Sequence, residues 1–237
     1  MEKRSPRLAV LIDAENASPR IADGLFEEIA KIGEASVRRI YGDFSGTQMK
    51  GWAETLTRHA IIPQQQFLTT SGKNAADIAL VIDAMDLLHN SRFDGFCLVS
   101  SDSDFTRLAA RIREQGIDVF GFGEQKTPES FRQACRRFIY TENLLPPGNG
   151  EQAVKTALRP PSVAISLIRK VLSEAANEDG WLALAAVGSQ LSNLAPDFDP
   201  RTFGYRKLSD LVRGTGSFEI KNGDGGMKIR RSGQEKT

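Results

Sequence analysis

Histidine and cysteine are nearly missing from this chain, with two of each in 237 residues. That scarcity excludes a zinc site of cysteine–histidine spacing and a framework of disulfides. Cys97 and Cys135 sit in apolar or helical surroundings and read as buried thiols, which fits a reducing cytoplasm. No run of about 18 apolar residues is present, so no transmembrane helix and no membrane partner are expected. The first residues, MEKRSPRLAVLIDAEN, place charge before a short apolar run that ends in acids rather than at small residues, so a signal peptide is not expected. Net charge is also almost absent at +1. It conceals an asymmetry: residues 1–150 hold 18 Lys and Arg against 20 Asp and Glu, whereas 151–237 hold 13 against 10. Two halves with different work are expected.

The first half alternates between two periods. LAVLID (8–13), ASVRRIYGDF (35–44), AIIPQQQF (60–67), FDGFCLVS (93–100) and IDVFGFG (117–123) read as strands. Helical spacing falls between them at 21–33, 51–60, 76–90 and 104–116, and PESFRQACRRF (128–138) reads as a short helix. In 76–90, Ile78, Val81, Ile82, Met85 and Leu88 share one face. Strands alternating with helices imply crossover units, and near-continuous apolar strands imply a sheet buried on both sides. The expected fold is α/β, a parallel sheet with helices on both faces. LLPPGNGEQAVKTALRPP (144–161) then holds four prolines and two glycines and reads as a linker. Beyond it, three helical stretches (162–175, 181–194, 203–214) precede a hairpin over 217–231 around Asn-Gly-Asp-Gly-Gly, the outline of a small winged-helix-like α+β domain. The boundaries drawn are 1–145, a linker at 146–161, and 162–232.

Several chemistries lack their residues. Gly72-Lys73 has no glycine five positions earlier, so there is no phosphate-binding P-loop. GFGEQK (121–126) lacks a third glycine and reads as a strand end. His59 and His89 fall in helical segments, away from any strand end that could host a Ser/His/Asp triad. Trp52 and Trp181 read as core residues.

What the sequence does have is acid at strand ends. Asp13 closes the first strand, Asp43 follows the second, and SSDSD (100–104) places Asp102 and Asp104 after the strand at 93–100. In a parallel sheet, ligands bind outside the carboxyl ends of the strands, so these acids share one edge. Asp77, at the start of a helix, can approach it. Singly, each has a plain alternative: Ser101, Asp102 or Ser103 can cap the next helix, and Asp13 can serve a turn. Together they repel one another unless a cation lies between them. Hard Mg²⁺ or Mn²⁺ suits carboxylate oxygen and keeps waters for a phosphate substrate.

LIDAEN, YGDF, GKNAADIALVIDAMDLL, LVSSDSDF and IDVFGFG, in that order over residues 7–143, resemble the NYN domain, a branch of the PIN-like nucleases that includes LabA-type bacterial proteins. The stretch from DGWLALAAVGSQL to TGSFEI, within 162–232, resembles the OST-HTH (LOTUS) domain. The resemblance implies a metal-dependent ribonuclease, an endonuclease, of Rossmann-like PIN topology. It implies Asp13, Asp77 and Asp102 as metal-binding acids, Asn16 as the motif asparagine, Asp104 as a further ligand, and Asp43 as the metal-site acid that some members carry after the second strand. Lys73 is a phosphate-contact candidate, and Ser100 and Ser101 are candidates for orienting carboxylates or phosphate oxygens. Because the acids repel RNA, affinity is expected elsewhere. Arg20, Arg38, Arg39 and Arg107 are candidates near the site. Arg201, Tyr205, Arg206, Lys207, Lys228, Arg230 and Arg231 are candidates in the basic C-terminal half. The resemblance also allows a protein partner for that half; a homodimer is a separate expectation. The rival is an adaptor that keeps the acidic pocket and binds RNA without cleaving it. A haloacid-dehalogenase-type phosphatase would want Asp-x-Asp where Asp13-Ala14-Glu15 stands, and a receiver domain would want a lysine after its late strand.

Overall fold

The computed structural model describes residues 4–46, 49–66, 74–90, 92–146, 158–175, 179–223 and 226–232. Lys73 and most of the expected linker lie outside them. The chain divides into two compact units, Met1–Gly150 and Glu151–Thr237.

In the first unit, β1 (Arg7–Asp13), β2 (Glu34–Gly42), β3 (Ile62–Gln65), β4 (Gly95–Val99), β5 (Asp118–Gly123) and β6 (Arg137–Tyr140) form one parallel sheet in the order β3-β2-β1-β4-β5-β6. Leu8 to Ile12 are fully buried, as two-sided coverage requires. Alternate residues feed opposite layers. Ala9, Leu11, Phe96 and Leu98 pack against α3 (Ala75–His89), α4 (Thr106–Glu114) and α5 (Glu129–Ala134). Leu8, Val10, Ile12, Cys97 and Val99 pack with Leu25 and Ile29 of α1 (Ala22–Ala30) and Trp52 of α2 (Lys50–Arg58). Both cysteines are free and buried.

Two local expectations are corrected. The helix expected over 128–138 ends at Ala134, and Arg137–Tyr140 forms a sixth strand beside β5. Its RFIY is a short apolar run, which periodicity cannot separate from a buried helical turn. In α3, the buried line is Ala76, Leu80, Ala84 and Leu88, while Ile78 and Ile82 are 59% and 58% exposed. Two alanines let the helix lie close to the strands, where the two isoleucines would not fit.

In the second unit, α6 (Pro161–Ala175), α7 (Leu184–Leu194) and α8 (Leu208–Thr215) pack on a three-stranded antiparallel sheet. Its order is β7 (Leu182–Ala183), β9 (Gly226–Arg231), β8 (Phe218–Gly223). Ile168, Val187, Leu191, Phe203, Leu211, Phe218 and Ile229 make its core, the winged-helix-like outline expected.

Candidate functional site

Strand order reverses between β1 and β4: the chain winds outward through β2 and β3, then returns to the other side of β1. A crevice at such a switch point is where open α/β sheets bind ligands. Asp13 and the Ser100–Asp104 segment meet there. Asp13 is buried, at 1% exposure. Its Oδ1 accepts from the backbone N–H of Glu15 (3.0 Å) and Asn16 (3.2 Å). Its Oδ2 accepts from Asn16 Nδ2 (2.8 Å) and from the Ser100 hydroxyl (2.7 Å). Ser100 Oγ accepts in turn from the Asp102 N–H at 3.0 Å. One hydroxyl thus locks the β1 and β4 ends together.

Asp102 itself caps the turn Ser103–Phe105, its Oδ1 accepting from the Asp104 N–H at 2.9 Å. The capping alternative is therefore real, and Asp102, half-buried, is the residue that does it. Ser101 Oγ accepts from the Glu124 N–H at 2.8 Å, tying this loop to the end of β5. Gly123 keeps that junction tight, since a Cβ there would stand 2.5 Å from the Ser100 carbonyl oxygen. Ser100 and Ser101 are both buried. Ser100 orients the Asp13 carboxylate, and Ser101 holds the backbone at the end of β5.

Asp77 lies in the first turn of α3. Burial first, and then the charges of Asp13, Asp102, Glu15 and Asp104 in that order, push its carboxyl up to about 6. Glu15 is likewise raised, by burial first and then by Asp13 and Asp43. Asp13, Asp77, Asp102 and Asp104 thus share one electrostatic neighbourhood, with Glu15 linking it toward Asp43. Asp43 Oδ1 accepts from Ser45 Oγ (2.6 Å) and Gln65 Nε2 (2.7 Å), which binds it to the end of β3. Among the described residues, no three His, Cys, Asp or Glu stand close enough together to chelate an ion on their own.

Glu15 and Gln65 are members the sequence reading missed. Glu15 stood in view inside DAEN, but Gln65 carries no signal of its own. A third missed feature orients α3: Asp83 accepts from Arg39 on one oxygen and from the Tyr41 hydroxyl on the other. Arg39 is therefore committed to structure, as is Arg38, which stacks on Phe26 and donates to the His59 carbonyl at 2.7 Å. Arg20 and Arg107 remain exposed. Replacing Asp83 with Ala strands a buried phenol and a guanidinium together. We expect a loss of about 1–3 kcal/mol by urea unfolding; a loss below about 0.5 kcal/mol would dismiss the clamp.

In the second unit, Arg206 and Lys207 are exposed immediately before α8, with no carboxylate partner among the described residues. Arg201 instead pairs with Asp199 at 2.6 Å. Tyr205 packs on the core with its ring over Gly214, whose Cβ position lies 2.5 Å from it. Phe203 is buried. Trp181 is not: it is half-buried beneath the Arg230 guanidinium, 4.9 Å from the ring centre.

A parallel sheet with acids gathered at its switch point, joined to a small winged-helix-like domain, defines a PIN-like α/β protein. The chain belongs to the NYN domain family, whose model matches residues 7–144, and residues 159–230 match the OST-HTH/LOTUS domain. The first places it in the PIN-like nuclease superfamily, and the second adds a domain of RNA-binding class. A solved structure of a protein of unknown function, VPA0982 from Vibrio parahaemolyticus RIMD 2210633, is similar at TM-score 0.51 and 17% identity, over 59% of this chain and 95% of that one. This likeness concerns the fold alone. MurG of Acinetobacter baumannii matches at TM-score 0.38 and 12% identity, over 57% of this chain and 40% of that one, too low to carry an argument. No curated protein matches the chain.

Proposed function

We propose that this protein is a divalent-metal-dependent ribonuclease, cutting RNA internally, with a C-terminal domain that holds the RNA. The observation that carries this reading is the Ser100 hydroxyl joining Asp13 to the Asp102 loop at the switch point, with Asp77 raised by both acids. The donor set fits a hard cation. It is all oxygen, from carboxylates whose mutual repulsion a positive charge relieves. Mg²⁺ and Mn²⁺ ask for only one or two protein carboxylates beside water and phosphate, which suits acids spread along an edge. Asp13, Asp77 and Asp102 would hold such an ion, with Asp104 and Asp43 flanking. When bound, it supplies an activated water and neutralises charge on the leaving oxygen. Asn16 and Ser100 fix the Asp13 carboxylate, and Gln65 fixes Asp43. Asn16 and Arg107 are exposed at this edge, available to substrate. Arg206 and Lys207 would contact phosphates from the second unit. A cytoplasmic setting goes with this chemistry and keeps Cys97 and Cys135 reduced.

One observation favours the adaptor reading as the second choice. Asp13 already accepts four hydrogen bonds, which fills the roughly four lone-pair positions of a carboxylate. Direct contact with a cation requires Asn16 or Ser100 to turn away. The deciding experiment is cleavage of a labelled single-stranded RNA by the purified chain. We expect cleavage with Mg²⁺ or Mn²⁺, complete loss in EDTA, and recovery when metal is restored. Cleavage untouched by EDTA would reject the metal reading; absence of cleavage with tight RNA binding would select the adaptor.

A further inference from the structure

The second unit presents a sheet face that the reading above leaves unused. In β8 and β9, Phe218 and Ile229 point into the core. Alternation therefore sends Glu219, Lys221, Lys228 and Arg230 to the other face. Register places them in two rows. Glu219 stands opposite Arg230, and Lys221 opposite Lys228, while Leu182 of β7 pairs with Ile229. Trp181, one residue before Leu182, thus falls beside Arg230.

The first row is fixed. Arg230 Nε donates to Glu219 Oε2 at 2.7 Å, and the same guanidinium lies over the Trp181 ring. Glu219, the one carboxylate of this face among the described residues, is thereby paired, and the guanidinium plane is held in place with 24% of its side chain exposed. The second row sets like charges together. Lys221 and Lys228 are exposed, directly cross-strand, and have no carboxylate partner among the described residues. Like charges placed so, about 5 Å apart at Cβ, weaken a hairpin. An anion held between them reverses that cost.

Resting on the RNA-binding reading of this domain, we propose that the outer face of the β7-β9-β8 sheet is a platform for single-stranded RNA, with Lys221 and Lys228 gripping phosphate beside the stacked Trp181–Arg230 pair. Charge complementarity calls for a polyanion, since among the described residues the face carries three cations and one paired acid. The flat aromatic and guanidinium surfaces call for bases free to stack, and only an unpaired strand offers them. This surface is distinct from the Arg206–Lys207 segment before α8.

The test is fluorescence anisotropy with a fluorescein-labelled 20-residue oligouridylate, on the full chain in EDTA so that nothing is cut. Lys221→Ala/Lys228→Ala changes only exposed side chains and keeps the fold. We expect its Kd to weaken about tenfold and its slope of log affinity against log salt to fall by about 1.4, the share of two single-strand phosphate contacts. Trp181→Phe should bind more weakly with an unchanged salt slope, because stacking carries no counterion release. Wild-type affinity and slope in the double-lysine variant would overturn the platform. So would tighter binding of an RNA duplex of equal length than of the single strand. A wild-type chain that binds no RNA at all would overturn the platform together with the RNA-binding reading beneath it.

Discussion

Asp13→Asn should lower RNA cleavage by at least about a hundredfold while leaving RNA affinity in EDTA within about twofold of wild type. Partners one step removed from a metal typically cost about 10–100-fold when lost, and Asp13 stands closer to the proposed chemistry than they do. The substitution keeps shape but removes charge at an acid buried to 1% exposure. Two donors, Asn16 Nδ2 and Ser100 Oγ, converge on its Oδ2. An amide at position 13 must therefore set its NH₂ against a donor or make Asn16 turn. That penalty of about 1–3 kcal/mol is offset by relief of the repulsion that Asp77 feels from Asp13. The melting temperature is expected to move by only a few degrees, so lost activity reads chemistry rather than unfolding. Full cleavage by the variant, with contaminating nuclease excluded, would remove Asp13 from the site. Unchanged RNA affinity separates this outcome from loss of the C-terminal grip.

Asp77→Asn should raise the melting temperature of the metal-free protein by a few degrees at pH 7.5 and by nothing at pH 3.5. Folding lifts this carboxyl from 3.8 to about 6, so the folded chain holds the proton more tightly than the unfolded chain. Stability from this group is then fully present below pH 3.8 and is lost as pH rises through about 6. At pH 7.5 the ionised aspartate is a burden that the neutral amide removes. The same substitution should erase most metal-dependent cleavage, since the proposed cation site draws on this carboxylate. In wild type, Mg²⁺ or Mn²⁺ should raise the melting temperature above pH 6 and have little effect below pH 5, where Asp77 is protonated. A variant no more stable than wild type at pH 7.5 would show that Asp77 does not sit among the other acids. Calorimetry across pH 3.5–8 in EDTA decides it.

The strand-end acids were legible because a doubly covered strand must be apolar along its length. The first polar residue after LAVLI or FCLV therefore marks the sheet edge. The parallel order followed from alternating periods. By contrast, α3 offered two apolar stripes of equal spacing. Nothing in its sequence says that the alanine stripe rather than Ile78 and Ile82 faces the sheet. RFIY (137–140) was too short to tell strand from helix. Trp181 reads as core by composition, yet the register of three strands places it under Arg230 on the outer face.

By itself, the sequence determined the α/β class of the first unit, the winged-helix-like character of the second, and the edge on which the carboxylates gather. Each follows from local periodicity and from where apolar runs stop. Tertiary structure decided which side chains hold those acids and which cations stay available. It brought Ser100 to Asp13 across 87 residues of chain and Gln65 to Asp43 across 22. It spent Arg38 on Phe26 and Arg39 on Asp83, and it set Lys221 opposite Lys228. These pairings depend on register and on close packing between distant segments, quantities fixed only when the whole sheet is assembled.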